Sequence, residues 1–296
     1  MIRIPFAKMV GTGNDFIVVD TIRHPRPSLR VQWRSISRAV CDRHTGIGAD
    51  GLLVLEPSRR ADVRMRVFNP DGSEAQMCGN GARCVARYLH TSVTRKHPIT
   101  LETMAGVLSA TVRGRQVAIQ MTDPTGVRLG LPMTVEGRTL RLSCVDTGVP
   151  HAVVPVRQLE AVDVARTGRA LRYHRAFAPR GANVNFIQPD PSRPGRIRIR
   201  TYERGVEEET LACGTGVAAS AIVYALSPAG RSHRNGHSRC HVEVQTRSGD
   251  LLRVSFAAQG RGMPRIRNLV LEGPADHVCD GVFPWPLRAL RSASWR

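Results

Sequence analysis

Apolar and polar residues alternate over many short stretches of the chain: Ile2–Met9, Phe16–Asp20, Asp62–Asn69, Gln116–Met121, Arg196–Tyr202, His241–Thr246 and Leu251–Phe256. A period of two belongs to a strand with one buried face, so each of these is expected to be a strand. Helical spacing is rarer. It occurs roughly over Gln32–Asp42, Ala82–His90, Ala161–Arg172 and Gly216–Leu226. Strands and helices do not take turns regularly, which argues against a doubly wound parallel sheet.

The elements repeat. Strand VRMRVFN, loop PDGSEAQM, the tetrad CGNG and a helix are followed by ITLETMAGVLSATV, read as strand, turn and strand. Later, strand IRIRTYE, loop RGVEEETLA, the tetrad CGTG and a helix lead into CHVEVQTRSGDLLRVSF. Strand end and cysteine keep nearly the same separation, Asn69 to Cys78 and Glu203 to Cys213. The expected fold is therefore α+β: two pseudo-symmetric homologous domains, each a strand-rich layer wrapped around a central helix, with the active site in a cleft between them. The domain holding Cys78 is expected to span residues 1–124 plus 266–296, and the domain holding Cys213 residues 125–265. A length of 296 residues suits about two domains at roughly 150 residues each.

Composition narrows the function. At 42% hydrophobic and 23% charged the chain reads as an ordinary globular protein, and no apolar run is long enough to span a membrane. The opening MIRIPFAKMVGTGNDF lacks the pattern of a secretory signal. Seven scattered cysteines do not form a disulfide framework, so a reducing cytoplasm is expected. A formal charge of +19 would ordinarily suggest nucleic acid. Yet Lys8 and Lys96 are the only lysines among 43 basic residues, and the arginines are spread over all elements. That reads as coding bias, and no nucleic-acid or membrane partner is expected.

The tetrads carry the candidate chemistry. A cysteine at the first turn of a helix lies near unpaired backbone N–H groups and the positive end of the helix dipole, which favours thiolate. The neighbouring glycines let backbone amides approach a carboxylate. One such cysteine would read as inert packing; the duplication favours chemistry. Cys41, Cys84, Cys144, Cys240 and Cys279 lack this setting and are expected in packing roles. Cys41 with His44, and His277 with Cys279, fall short of the paired spacing of a zinc site, so no metal is expected. GIGADG at residues 46–51 matches a dinucleotide loop only as a string, because it follows a helix and enters a strand. GTGNDF at residues 11–16 reads as a turn. A Schiff-base cofactor needs a lysine in a suitable setting, and neither lysine has one, so no cofactor is expected.

GTGNDF, GIGADG, FNPDGSEAQMCGNGARC, TGVPHAVV, GANVNF and YERGVEEETLACGTG, in this order, resemble the diaminopimelate epimerase family over nearly the whole chain. The resemblance implies a cofactor-independent isomerase that interconverts L,L- and meso-2,6-diaminopimelate on the way to lysine and peptidoglycan. Cys78 and Cys213 match its catalytic pair, and His151 and Glu203 match residues that assist them. Gly79 with Asn80, and Gly214 with Thr215, match the amides that hold the reacting carboxylate. Asn14, Asn69, Asn183, Glu203 and Arg204 match substrate contacts. The expected partners are this small-molecule substrate and a second copy in a homodimer. Proline racemases share the fold, but their first motif usually carries histidine where this chain has Asn80. An isomerase of another amino acid such as proline is the nearest alternative, and a basic nucleic-acid-binding module the alternative from another class. Two departures stand out: Gly51 and Val149 replace a glutamine and an asparagine of some members. Glu203 as part of a surface ion pair, and His151 as a satisfied core histidine, remain alternative readings. The tail VFPWPLRALRSASWR, after Gly281, has no counterpart and is expected to be a cap on the first domain or a frayed end.

Overall fold

The computed structural model describes residues 2–25, 32–231, 239–260 and 264–285. The chain divides into two compact units, Met1–Ile119 joined by the segment from Pro274, and Gln120–Gly273.

In chain order the first unit contains β1 (Ile2–Gly11), β2 (Asn14–Asp20), α1 (Trp33–Cys41), β3 (Gly51–Glu56), β4 (Val63–Phe68), β5 (Glu74–Ala75), α2 (Gly79–Ser92), β6 (Ile99–Thr103), β7 (Gly106–Arg113) and β8 (Gln116–Gln120). The second contains β9 (Thr125–Val135), β10 (Arg138–Asp146), β11 (Pro150–Pro155), α3 (Val164–Arg172), β12 (Asn183–Pro189), β13 (Arg196–Glu203), β14 (Glu208–Thr210), α4 (Gly214–Leu226), α5 (Pro228–Arg231), β15 (Arg239–Gln245), β16 (Leu251–Gln259) and β17 (Arg265–Pro274). The chain then returns to the first unit as β18 (Asp276–Trp285).

The repeat read from sequence is a repeat of pairing. In the first unit β2 pairs parallel with β3, β3 antiparallel with β4, β4 antiparallel with β5 and parallel with β6, and β6 antiparallel with β7. In the second, β11, β12, β13, β14, β15 and β16 repeat those pairings and directions. β1 lies antiparallel between β18 and β2, as β10 lies between β9 and β11. The returning β18 thus fills in the first unit the place that β9 fills in the second.

Burial follows from these pairings. β2 and β3 are covered on both faces, so FIVV and LLVL run without polar interruption. Phe16, Val18, Leu53 and Leu55 face α2, while Ile17, Val19, Leu52 and Val54 face α1. The second unit has the same two layers. Val153 and Ile187 pack on α4, which is buried along its length from Gly216 to Leu226, and Ala152, Val154, Val184 and Phe186 pack under α3.

Two boundaries differ from expectation. The central helices begin at Gly79 and Gly214, a few residues before the Ala82 and Gly216 that apolar spacing indicates, because the cysteines themselves are the N-caps. β17, expected in the first domain from residue 266, belongs to the second unit: it pairs with β16, and its Leu269 and Leu271 lie in the α4 core. Of the tail, Val282–Trp285 extend β18, and Trp285 Nε1 donates to Gln32 Oε1 at 2.6 Å. Residues 286–296 of the tail lie outside the described residues. Among the described residues no helix is long and apolar enough to cross a membrane.

Candidate active site

In the first unit, Cys78 sits in extended backbone at φ −138° and ψ 115°, and its sulfur accepts from the Gly81 amide at 3.4 Å. The bond turns the side chain back over the first turn of α2, where backbone N–H groups have no helical partner. A Cβ at Gly79 would meet nothing within 4 Å, so the space beside its amide is open. Asn80 is buried and donates through Nδ2 to Asn14 Oδ1, while its own Oδ1 accepts from Arg83 Nη2 at 2.7 Å. Arg83 is fully buried and also reaches Thr12 Oγ1.

Asn14 opens β2, directly after a two-residue turn with positive φ at both Thr12 and Gly13. Its Nδ2 donates to Asp50 at 3.1 Å. Arg43 bridges Asp50 and Asp15 at 2.7 Å to each, and Lys8 pairs with Asp15 at 2.6 Å. Burial pushes the Asp15 carboxyl up, but the hydrogen bonds and charges of Arg43 and Lys8 outweigh it and bring the pKa down to about 2. Lys8 and Arg43 are thus both engaged in this cluster, which holds the start of β2 and with it Asn14. Lys96 pairs with Asp62 at 2.6 Å.

Asn69 is placed differently. It is exposed, its side chain donates to Ser73 Oγ at 2.9 Å, and its carbonyl accepts from Ser37 Oγ at 2.7 Å. These contacts tie it to the turn after β4. Gly51 is buried, and a Cβ there would stand 3.2 Å from the Phe68 carbonyl oxygen and 3.4 Å from the Phe16 ring. The first unit thus has little slack for a longer side chain at this position.

In the second unit Cys213 occupies the equivalent cap of α4 at φ −118° and ψ 109°, is 8% exposed, and its sulfur lies 3.4 Å from Thr215 Oγ1. Thr147 Oγ1 donates to the Thr215 carbonyl at 3.0 Å, holding the CGTG turn against the loop before β11. Asn183 is buried, and its Oδ1 accepts from the Arg204 amide at 2.7 Å, which sets the strand end that carries Arg204. Arg204 itself is half-buried and donates through Nη1 to the Arg180 carbonyl at 3.3 Å.

Glu203 ends β13 and accepts from Thr210 Oγ1 at 2.9 Å. Burial pushes its carboxyl above the ordinary range, with the Thr210 hydroxyl opposing. A half-buried carboxyl of this kind is not one end of a surface ion pair. His151 is 1% exposed, and its pKa is pushed down to about 3, by burial first and by the charge of Arg204 second. Its Nδ1 lies 3.0 Å from Asn185 Nδ2, while its Nε2 is buried without a hydrogen-bond partner among the described residues. Most buried side-chain nitrogens in folded proteins have a partner, so the bare Nε2 is unusual.

The sequence reading named Cys213, Gly214, Thr215, Asn183, Glu203, Arg204 and His151 in this unit but missed Asn185, Thr201 and Thr147. A signal for Asn185 exists: NVNF puts a second asparagine where the matching strand of the first repeat, GLLV, has leucine. Among the described residues no group of three His, Cys, Asp or Glu side chains stands ready to hold a metal ion.

These arrangements can be set beside known proteins. The model of the diaminopimelate epimerase family matches residues 6–127 and 143–274. The diaminopimelate epimerase of Aquifex aeolicus is 42% identical over 285 residues, covering 93% of this chain and 96% of that protein. That of Methanothrix thermoacetophila is 40% identical over 294 residues, covering 95% and 96%. Among solved structures, a phenazine biosynthesis protein of the PhzF family from Bacillus anthracis aligns with TM-score 0.72 at 18% identity, covering 96% of this chain and 100% of that one. A probable proline racemase from Agrobacterium radiobacter aligns with TM-score 0.67 at 20% identity, covering 95% and 93%. At such identities these two speak to the α+β fold alone. Identity of 38–42% with the epimerases over most of both chains, together with the family match across both repeats, decides the matter: the chain belongs to the diaminopimelate epimerase family.

Proposed function

We propose that the protein epimerises L,L-2,6-diaminopimelate to meso-diaminopimelate, supplying lysine and peptidoglycan precursors, with Cys78 and Cys213 as the two proton-transfer groups. One observation carries this reading: each of two topologically equivalent helices begins on a cysteine N-cap followed by glycine. Inversion at a tetrahedral carbon needs an acceptor on one face and a donor on the other, and a duplicated thiol supplies both.

The α-hydrogen of an amino acid is weakly acidic, so the charge that develops on the carboxylate must be stabilised as the proton leaves. Preorganised backbone donors do this best where water is excluded. The amides of Gly79 and Asn80, and of Gly214 and Thr215, at the first turns of α2 and α4, are such donors. One cysteine as thiolate takes the α-proton and becomes a thiol. The other, as thiol, gives its proton to the opposite face and becomes the thiolate. The pair therefore holds one proton before and after each turnover, and two while the α-carbon is deprotonated; the roles exchange in the reverse direction. Burial raises the pKa of Glu203 above the ordinary carboxylate value, and His151 stays uncharged. Arg204, Asn183, Asn14 and Asn69 are assigned to recognition of the substrate, with Arg204 offering a planar fork suited to its distal carboxylate.

A cytoplasmic homodimer belongs to the same proposal. It is supported by the odd, scattered set of seven cysteines and by the family, and sedimentation at micromolar concentration tests the dimer. The substrate assignment is tested by a panel of L,L-diaminopimelate, L-proline and trans-4-hydroxy-L-proline under reducing conditions, with products resolved by chirality. Turnover of the first alone is expected. Turnover of a proline substrate in its place would move the assignment to the racemase branch, and a steep salt-dependent shift with generic DNA would favour the nucleic-acid reading.

A further inference from the structure

Comparing the two units position by position exposes a polar insert that the fold itself does not require. On the parallel pair of the first unit Phe16 stands opposite Gly51, and on that of the second His151 stands opposite Asn183. Two residues further along β3 and β12 come Leu53 and Asn185, whose antiparallel partners are Val67 and Thr201. Three residues after each cysteine comes a glycine, Gly81 or Gly216. A Cβ at Gly81 would press on the Leu53 methyls, 3.0 Å away, and one at Gly216 would collide with Asn185 Oδ1. Phe16, Leu53, Val67 and Gly81 therefore correspond to His151, Asn185, Thr201 and Gly216. The first set is apolar core under α2. The second buries an imidazole, an amide and a hydroxyl under α4, with Asn185 0% and Thr201 3% exposed.

Buried polar groups cost stability unless they are satisfied, and the twin unit shows that apolar residues fill the same places. The insert therefore answers a need other than folding. Its hydrogen bonds run one way. Thr201 Oγ1 donates to Asn185 Oδ1 at 3.0 Å, so the oxygen of the amide is engaged there. The other end of the amide faces the Ala152 carbonyl at 3.5 Å, which can only accept, and this identifies it as Nδ2. Nδ2 then meets His151 Nδ1 at 3.0 Å as donor. An Nδ1 that accepts carries no proton, so in the neutral ring the proton sits on Nε2, the atom left without a partner.

We infer that Asn185, itself oriented by Thr201 and given room by Gly216, is a positioning residue that fixes His151 with its proton on Nε2, making Nε2–H a standing hydrogen-bond donor to a carboxylate of the substrate. Arg204, whose charge is felt at the ring, makes the same region attractive to an anion. His151 in this role orients and stabilises, and it exchanges no proton with the thiols. The carboxylate as ligand rests on the epimerase reading; the tautomer does not.

The test reads the tautomer in full-length, substrate-free, 15N-labelled protein from long-range 1H–15N correlations of the His151 ring, assigned with His151→Phe. The expected parent spectrum has a protonated Nε2 and a bare Nδ1. Asn185→Asp replaces the donor by an acceptor and should move the proton to Nδ1. It should lower kcat at least about a hundredfold while KM stays within about threefold, as expected for a ring held in the wrong tautomer. The double variant Asn185→Leu/Thr201→Val installs the residues of the twin unit, so it should fold. It should show a mixture of tautomers and lose roughly tenfold in kcat, the scale of one buried hydrogen bond. A proton on Nδ1 in the parent, or an unchanged ring spectrum in both variants, overturns the inference. Because the spectrum needs no substrate, a protein inactive on diaminopimelate with the expected tautomer would sink the epimerase reading and leave the role of Asn185 intact.

Discussion

Gly216→Ala is the smallest change that strains the second-unit assembly. The residue is helical, with no positive φ, so backbone conformation is not the obstacle. The obstacle is Asn185 Oδ1, which stands where the new Cβ must go, with Asn185 Cγ at 3.2 Å and Cys213 Cβ at 3.5 Å beside it. Overpacking a buried site costs about 1–3 kcal/mol. An amide pushed off its Thr201 and His151 partners leaves buried polar groups unsatisfied at a further cost of about 1–3 kcal/mol. Alanine returns up to about 1 kcal/mol through helix propensity. The net is a loss of about 3 kcal/mol, or roughly 6–12 °C in Tm for a unit of this size. Gly79→Ala is the matched control, because its Cβ meets nothing within 4 Å and the change should leave stability equal or slightly raised. Urea unfolding of both variants, followed by circular dichroism, measures the difference. A Gly216→Ala protein within about 0.5 kcal/mol of the parent, the usual range of an unconstrained surface change, would refute the assigned contact.

Arg204→Met should lower kcat/KM by roughly 30- to several-thousand-fold, the cost of a lost charge-assisted contact of about 2–5 kcal/mol, while alkylation of Cys78 proceeds at the parent rate; a silent variant would remove Arg204 from recognition. Cys213→Ala should bind substrate but fail to invert it, at most exchanging the α-hydrogen of one stereoisomer with retention, and near-parent epimerisation would contradict the two-thiol scheme. For acid stability the sign follows from His151. Its folded pKa, about 3, lies below the ordinary 6.5, so the unfolded chain binds the extra proton and stability falls as pH drops from 6.5 towards 3. His151→Phe, the residue of the twin position, should therefore lose about 3 kcal/mol less than the parent between pH 7 and pH 4, measured by denaturation at both; an equal loss in both proteins would mean the imidazole is not held neutral.

Much of this was legible in the sequence because the repeat is written twice. Alternation in IRIRTYE and VRMRVFN marks strands with one polar face, and the paired tetrads place both cysteines. The helix starts lie two to three residues before the expected ones, since Gly79, Asn80, Gly214 and Thr215 carry no apolar periodicity and only cap geometry includes them in the helices. β17 was assigned to the wrong unit because a strand does not announce its partner; its pairing with β16 decides. Asn185 escaped notice for a related reason. A second asparagine in the strand NVNF reads as tolerated, and its meaning appears only when the register places it between Thr201 and His151. Asn69, legible as a motif residue, turns out to hold the turn after β4 through Ser73, a contact that no spacing rule supplies.

The central claim is proton exchange at Cα by two cysteines. It is tested most directly by incubating the purified, reduced protein with L,L-diaminopimelate in deuterium oxide, with neither pyridoxal phosphate nor metal added. The account predicts meso-diaminopimelate carrying solvent deuterium at the inverted Cα, with both the isotope and the inversion lost on alkylation of Cys78 and Cys213. Folded, reduced protein that neither inverts the substrate nor takes up deuterium, or that does both with these two thiols blocked, would contradict it.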